Sequence, residues 1–153
     1  MLQRIQTIYL IIVLLLLGGF LYFPIAEVAF ANSQPQGIFL GHSFLLKATA
    51  TLELFAKMSM ILAWLLIGMN FITIFMYKNR KIQMFLCLLS SLLLMVLTLV
   101  AGYFLWKLKL EAGSLVYYKI TIFLPFLGAF SSYLAYRGIK KDDQLVKSYD
   151  RLR

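Results

Sequence analysis

Four long apolar runs constrain this chain more than any other feature of its sequence. They cover roughly residues 5–26, 54–77, 82–106 and 117–136, and a bilayer crossing takes about 20 predominantly apolar residues. None of them contains Asp, Glu, Arg or His, and Lys57 and Lys119 each lie near an end, where the side chain can reach the interface. Because backbone polar groups in lipid must be paired within the segment, the runs predict four transmembrane α-helices.

The composition indicates the same class of protein. Hydrophobic residues make up 62% of the chain and charged residues 14%, whereas soluble domains average about 45–50% apolar and about 25% charged residues. The chain is therefore predicted to be an all-α integral membrane protein, a four-helix bundle forming one domain over residues 1–153. The apolar run from Ile5 to Phe23 exceeds the roughly 7–15 residues of a secretory signal core, so we expect a retained helix.

The distribution of basic residues predicts the orientation. Of the 15 Lys and Arg, ten fall on one side of the predicted spans, at Arg4, in the Lys78–Lys81 turn and in the tail of residues 137–153. Cytoplasmic loops hold the excess of Lys and Arg, so both termini are predicted to be cytoplasmic. The basic residues flank apolar spans instead of clustering on a soluble face, so nucleic acid is not an expected partner.

The first outer connection, residues 27–53, is the longest. A turn signal at Asn32–Gly37 separates two short apolar runs, Val28–Phe30 and Ile38–Leu40. We expect a small β-hairpin or a cap over the outer end of the bundle.

A few small or polar residues inside the spans are candidates for contacts between helices. Asn70 and Thr73 lie on the same face of the second span, where a buried amide seeks a partner on another helix. A hydrogen bond between helices is the first interpretation, and a ligand contact is the second. Gly128, Ser132 and Ala135 permit close helix approach, within the bundle first and between subunits second.

No catalytic, cofactor or metal site is predicted. Charged groups at membrane depth usually mark function, and the spans hold no carboxylate, histidine or arginine. His42 and Cys87 are the single histidine and cysteine, and the predicted topology places them in different compartments. Glycine-rich phosphate loops, nucleophile elbows and paired-carboxylate motifs are absent from the sequence. The chain is therefore not expected to be an enzyme.

The polar tail is predicted to form an amphipathic helix that continues or kinks away from the fourth span at Gly138. On a helical wheel, Ile139, Leu145 and Val146 share one side with Tyr149 and Leu152, although Asp142 and Arg153 intrude. Such a helix can lie on anionic headgroups or dock in a protein groove. The candidate interaction residues are Asp143, Leu145, Val146, Tyr149, Asp150, Arg151, Leu152 and Arg153.

The two ends of the chain resemble a known family. Gln3–Thr7 reads Gln-Arg-Ile-Gln-Thr, and Asp150–Arg153 reads Asp-Arg-Leu-Arg. These segments are similar to those of small four-span membrane proteins of the Bacteroidota that form a domain of unknown function, with Asp143 in place of the usual glutamate. The resemblance implies a bacterial inner-membrane location. It transfers no activity, ligand or site residue.

Two functions remain open at this point. The leading hypothesis is a non-catalytic accessory or scaffold subunit, with membrane lipids and a membrane or cytoplasmic-face protein as partners and a homo-oligomer compatible with the sequence. The alternative is a small transporter or lipid-handling protein with an apolar cavity around Asn70 and Pro125.

Overall fold

The computed structural model describes residues 2–29, 36–39, 50–76, 79–112 and 115–151. Within these residues, four α-helices are formed: α1 Leu2–Tyr22, α2 Ala50–Phe75, α3 Arg80–Ala112 and α4 Leu124–Arg151. There are also three short strands, β1 Ala26–Ala29, β2 Gln36–Ile38 and β3 Leu115–Tyr118, and a 3₁₀ helix, Ile120–Phe123, that precedes α4. The prediction of four helices is confirmed.

The helices pack as an antiparallel bundle. Helix α4 packs against α1 and α3, and α2 packs against α3 and α1, so consecutive helices are neighbours around the bundle. Among the described residues, two helical segments are long and apolar enough to cross a membrane by length and composition, Glu53–Phe75 and Arg80–Leu110. Helix α1 adds a shorter apolar segment, Gln6–Tyr22.

Several helix ends differ from those predicted. Helix α1 ends at Tyr22 instead of residue 26, because Pro24 disfavours helical backbone in the residue before it. Helix α4 begins at Leu124, seven residues after the predicted start of the fourth run. Pro125 therefore lies in a first turn, where its missing N–H costs no hydrogen bond and no bend is required. At the other end, α4 continues as helix through Gly138 to Arg151.

A three-stranded antiparallel sheet with the order β2-β1-β3 lies at the end of the bundle where α1 and α3 finish. The predicted hairpin is present, with Ala26 opposite Ile38, although residues 30–35 and 40–49 lie outside the described part of the chain. Strand β3 was not predicted. It pairs with β1 from Ala26 opposite Tyr118 to Ala29 opposite Leu115, so residues 117 and 118 form a strand and not the start of the fourth helix.

The sheet is attached to the bundle by its inner face. Ala26 and Val28 of β1 are buried and Glu27 between them is half-buried, the alternation typical of a strand with one covered face. Val28 belongs to the same buried cluster as Phe20 of α1 and Leu105 of α3. Glu27 also forms a 2.8 Å ion pair with Lys119, just after β3. We call this end of the bundle the sheet end, and the opposite end the tail end.

The pairing of β1 with β3 can be tested by crosslinking. In a Cys87→Ala background, we expect the pair Glu27→Cys and Tyr117→Cys to form a disulfide on mild oxidation, because directly opposite side chains lie on one face within reach. The matched control, Glu27→Cys with Val116→Cys, places the two thiols on opposite faces and should stay reduced. Equal crosslinking in both variants, measured by mobility on a non-reducing gel, would contradict this register.

Candidate functional site

A hydrogen-bonded chain of polar side chains connects three helices in the interior of the bundle. Ser132 of α4, Ser90 of α3 and Asn70 of α2 are all fully buried. The Ser132 hydroxyl lies 3.2 Å from Ser90 Oγ, and the Ser90 hydroxyl donates to Asn70 Oδ1 at 3.1 Å. The Asn70 amide then donates to the Leu66 carbonyl at 2.8 Å. We call Asn70, Ser90 and Ser132 the polar layer.

Ser132 has a second acceptor within reach. Its Oγ lies 2.9 Å from the Cys87 carbonyl oxygen on α3. A hydroxyl carries one proton, so Ser132 donates either to this carbonyl or to Ser90. Both arrangements bond α4 to α3, which makes this helix contact insensitive to how the hydroxyl rotates.

The polar layer separates two apolar clusters. On the sheet side, Leu66, Leu94 and Ala129 belong to the larger cluster. On the tail side, Cys87 and Ala135 belong to the smaller one. Ser90 and Ser132 therefore each have an apolar neighbour about one turn away on either side, and Asn70 has one on the sheet side. Sliding one helix along the others would place a polar group against an apolar cluster, so the layer specifies the register of the bundle.

Thr73, the second polar residue predicted in this region, takes a different role from Asn70. Its hydroxyl donates to the Met69 carbonyl of its own helix at 2.7 Å. Its backbone carbonyl accepts a bond from the buried Gln83 amide of α3 at 3.4 Å. Thr73 is thus linked to α3 through its backbone and lies outside the polar layer.

The small residues of α4 face the bundle interior. Ser132 and Ala135 are fully buried, and a Cβ atom added at Gly128 would lie 3.7 Å from the Leu94 side chain. These positions pack α4 against α3, which corresponds to the first interpretation, close helix approach within the bundle.

Ser90 was not singled out from the sequence, because the adjacent Ser91 offers the same side chain and only Ser90 faces Asn70.

A second polar contact joins the two ends of the chain. Gln6 of α1 donates through Nε2 to Asp142 Oδ2 of α4. Gly138 permits this approach, since a Cβ atom there would lie 3.3 Å from Gln6 Cγ. The other carboxylate oxygen, Oδ1, is buried without a hydrogen-bond partner among the described residues. The position of Asp142 on the apolar side of the predicted tail helix was the sequence signal for this contact.

The predicted apolar side of the tail is divided by the structure. Ile139 is buried in the bundle with Leu10 and Ala135, whereas Leu145 and Val146 are exposed. Asp143 is half-buried. The backbone of Tyr149, Asp150 and Arg151 is helical, but their side chains lie outside the described residues, as do Leu152 and Arg153 altogether.

The chemistry that these groups offer is hydrogen bonding. The polar layer contains two hydroxyls and an amide whose bonds are directed at one another and at backbone carbonyls. In the part of the chain that the structure describes, no group of three or more His, Cys, Asp or Glu side chains is placed to hold a metal ion.

Four antiparallel helices, an interior polar layer and a small sheet at one end define a small helical-bundle protein with two membrane-length apolar helices. The chain belongs to the DUF4293 family, a domain of unknown function, whose family model matches residues 2–152. The predicted resemblance to a domain of unknown function is thereby confirmed. No curated protein and no solved structure matches the chain.

Removing the central amide should destabilise the bundle. Asn70→Leu deprives the Ser90 hydroxyl of its acceptor, so we expect a loss of about 1–2 kcal/mol in unfolding free energy, measured by SDS titration from mild detergent micelles. The double variant Asn70→Leu with Ser90→Ala should cost less than the sum of the single variants, by about 0.6–1.7 kcal/mol. Ser91→Ala is the matched control and should change little. Strict additivity would show that the two side chains are not coupled.

The contact between Gln6 and Asp142 makes a distinct prediction. Among the described residues, Gln6→Leu leaves neither carboxylate oxygen of Asp142 with a hydrogen-bond partner, so we expect a loss of about 1–3 kcal/mol. Adding Asp142→Leu should recover most of this loss, because removing both polar partners costs less than removing one. The measurement is thermal unfolding in detergent, with the exposed Gln144→Leu as control. A double variant less stable than Gln6→Leu alone would refute this account.

Proposed function

We propose that the protein is a four-span bacterial inner-membrane protein that acts as a non-catalytic accessory or scaffold subunit. One observation carries the membrane location in this proposal, the outward distribution of large apolar side chains on all four described helices. Leu15 is 70% exposed, Trp64 57%, Leu99 73% and Phe130 60%, while the polar layer is buried. Such an exterior is a liability in water and is the expected surface in lipid.

Helices α1 and α4 are the shorter candidates for spans. The apolar segment Gln6–Tyr22 and the uncharged residues 120–136 are each about 17 residues long, at the lower end of what crosses a bilayer. Both carry exposed apolar side chains, such as Ile11 on α1 and Phe126 on α4. These surfaces support α1 and α4 as two further spans, in addition to the two that length and composition alone indicate.

The charges at the two ends of the bundle support the proposed orientation. The tail end carries Arg80 and Lys81 at the start of α3, together with the basic residues of α4 from Arg137 onward. The sheet end carries fewer basic residues, and two of them are in ion pairs, Lys57 with Glu53 at 2.6 Å and Lys119 with Glu27. The excess of positive charge favours a cytoplasmic tail end.

The tail of α4 is the surface that we propose for a partner protein. From Asp142 to Arg151 the helix rises about 14 Å, and Leu145 and Val146 are exposed on it. Because Asp142 contacts α1, the base of this extension is held in place. A rigid helix with exposed apolar side chains suits docking in a groove of a cytoplasmic-face protein.

The transporter alternative receives less support. The Asn70 amide group is already engaged by Ser90 and by the Leu66 carbonyl, so its polar atoms are not directed at a ligand. Pro125 is buried in the first turn of α4.

Photocrosslinking in native membranes tests the docking proposal. Probes at Leu145 and Val146 should each capture the same protein, identified by mass spectrometry, because their side chains are exposed on the extension of α4. A probe at Leu99 is the control and should capture lipid, since this exposed side chain lies in the apolar middle of α3. Lipid adducts alone from all three positions would refute protein docking by the tail.

A further inference from the structure

The outer surface between α3 and α4 contains a groove, and its interpretation as a binding site rests on the proposed membrane location. Near the tail end, Met84, Phe85 and Leu88 of α3 face Tyr136 and Lys140 of α4 across a cavity of about 440 Å³. Nearer the middle of the bundle, Met95, Phe126 and Phe130 line a cavity of about 200 Å³. We call the cavity near the tail end the upper cavity, the one nearer the middle the lower cavity, and the two together the α3–α4 groove.

The two cavities lie along one seam. On α3 the lining positions 84, 88, 91 and 95 are three or four residues apart, so they share one helix face. On α4, Tyr133 lines the lower cavity and Tyr136 the upper one, and their ring centroids are 6.1 Å apart. Phe85, Met95 and Phe130 are exposed, so the seam opens outward and not into the bundle.

The length of the groove matches one leaflet of a membrane. The helix rises about 15 Å over the ten steps from Phe126 to Tyr136, which is half of a hydrocarbon core of about 30 Å. The lower cavity is lined mainly by apolar side chains and Ser91. Tyr136, at the upper end, is a residue type enriched at membrane interfaces. The groove thus spans the depth of a lipid acyl chain whose headgroup lies at the tail end.

The mouth of the groove is positively charged. Arg137, Lys140 and Lys141 line an adjoining cavity of about 450 Å³ on the other side of Tyr136. All three are exposed, and Lys140 Nζ lies 5.9 Å from the centre of the Tyr136 ring. Asp143, on the side of α3, is the acidic residue that lines the upper cavity. The three basic residues therefore outnumber the acidic residue at this end of the groove. Basic residues at this depth attract anionic lipid headgroups, and arginine can bind a phosphate in a bidentate manner.

We propose that the α3–α4 groove binds one anionic phospholipid of the cytoplasmic leaflet. Its phosphate lies at Arg137, Lys140 and Lys141, and one acyl chain lies in the groove between Phe85 and Phe130. Free phosphate would use the cations alone and would leave the apolar part of the groove empty. A lipid occupies both parts, and this combination selects the lipid as the occupant.

Native mass spectrometry of the full chain, released from detergent micelles, tests the headgroup. With phosphatidylglycerol or phosphatidylethanolamine of identical acyl chains, we expect one phosphatidylglycerol to be retained, about tenfold more often than phosphatidylethanolamine. The variant Arg137→Gln, Lys140→Gln, Lys141→Gln should lose this preference. The matched control Lys57→Gln, Lys107→Gln, Lys109→Gln removes the same charge at the sheet end and should keep it. Equal retention of both lipids by the unmodified chain would overturn the proposal.

A second pair of variants tests the contribution of the apolar groove to lipid binding separately from that of the basic residues. Ser91→Phe fills the groove and leaves the basic residues unchanged, so it should abolish retention of phosphatidylglycerol. Leu92→Phe, at the exposed neighbouring position, should retain the lipid. If Ser91→Phe unfolds, Met95→Trp at another lining position serves the same purpose. Retention by a folded, groove-filled variant would overturn the proposal.

Alkaline carbonate extraction of native membranes distinguishes failure of the lipid site from failure of the membrane location. A protein that resists extraction but shows no preference for phosphatidylglycerol would overturn the lipid site and leave the membrane location standing. A protein that is extracted would overturn the proposed function, and the lipid site with it.

Discussion

The hydrogen bonds from Ser132 through Ser90 to Asn70 are the interaction on which the rest of the bundle depends. In lipid, helices gain little from excluding water, so their association relies on close packing and on polar contacts between them. The polar layer supplies such contacts to α2, α3 and α4 at one level, between two apolar clusters. By specifying the register of these helices, it also places α3 and α4 so that the residues of the α3–α4 groove face each other.

Helix α4 is held at two points, and this determines where its tail can go. Ser132 bonds it to α3, and ten residues later Asp142 accepts a bond from Gln6 of α1. The two contacts are about 15 Å apart along the helix, so α4 is constrained in both position and direction. The polar tail is therefore a continuous extension of a bundle helix, with its first turns packed in the protein.

Features that depend on local pattern were predictable from the sequence, whereas those that depend on distant pairing were not. Run length and the lack of charge predicted four helices, and burial of an amide predicted the role of Asn70. Strand β3 was missed because Leu115–Tyr118 runs into the apolar residues before α4, and its partner β1 lies far away in the sequence. Ser90 could not be chosen over Ser91 without knowing which face of α3 meets Asn70. The half-buried acceptor Asp142 was visible only as an acid on an apolar helix face.

The Val146 part of the proposed docking surface is compatible with lipid binding because it lies on a different face of α4 from the basic residues, whereas Leu145 lies one turn after Lys141 on the same face. Ile139 and Val146 are seven residues apart and therefore share a face. Ile139 is buried in the bundle on that face, so the exposed Val146 continues it beyond the packed region. Arg137, Lys140 and Gln144 lie on the opposite face, beside the α3–α4 groove. A lipid bound at the basic face leaves the Val146 face accessible, and its anionic headgroup would offset positive charge beside Leu145.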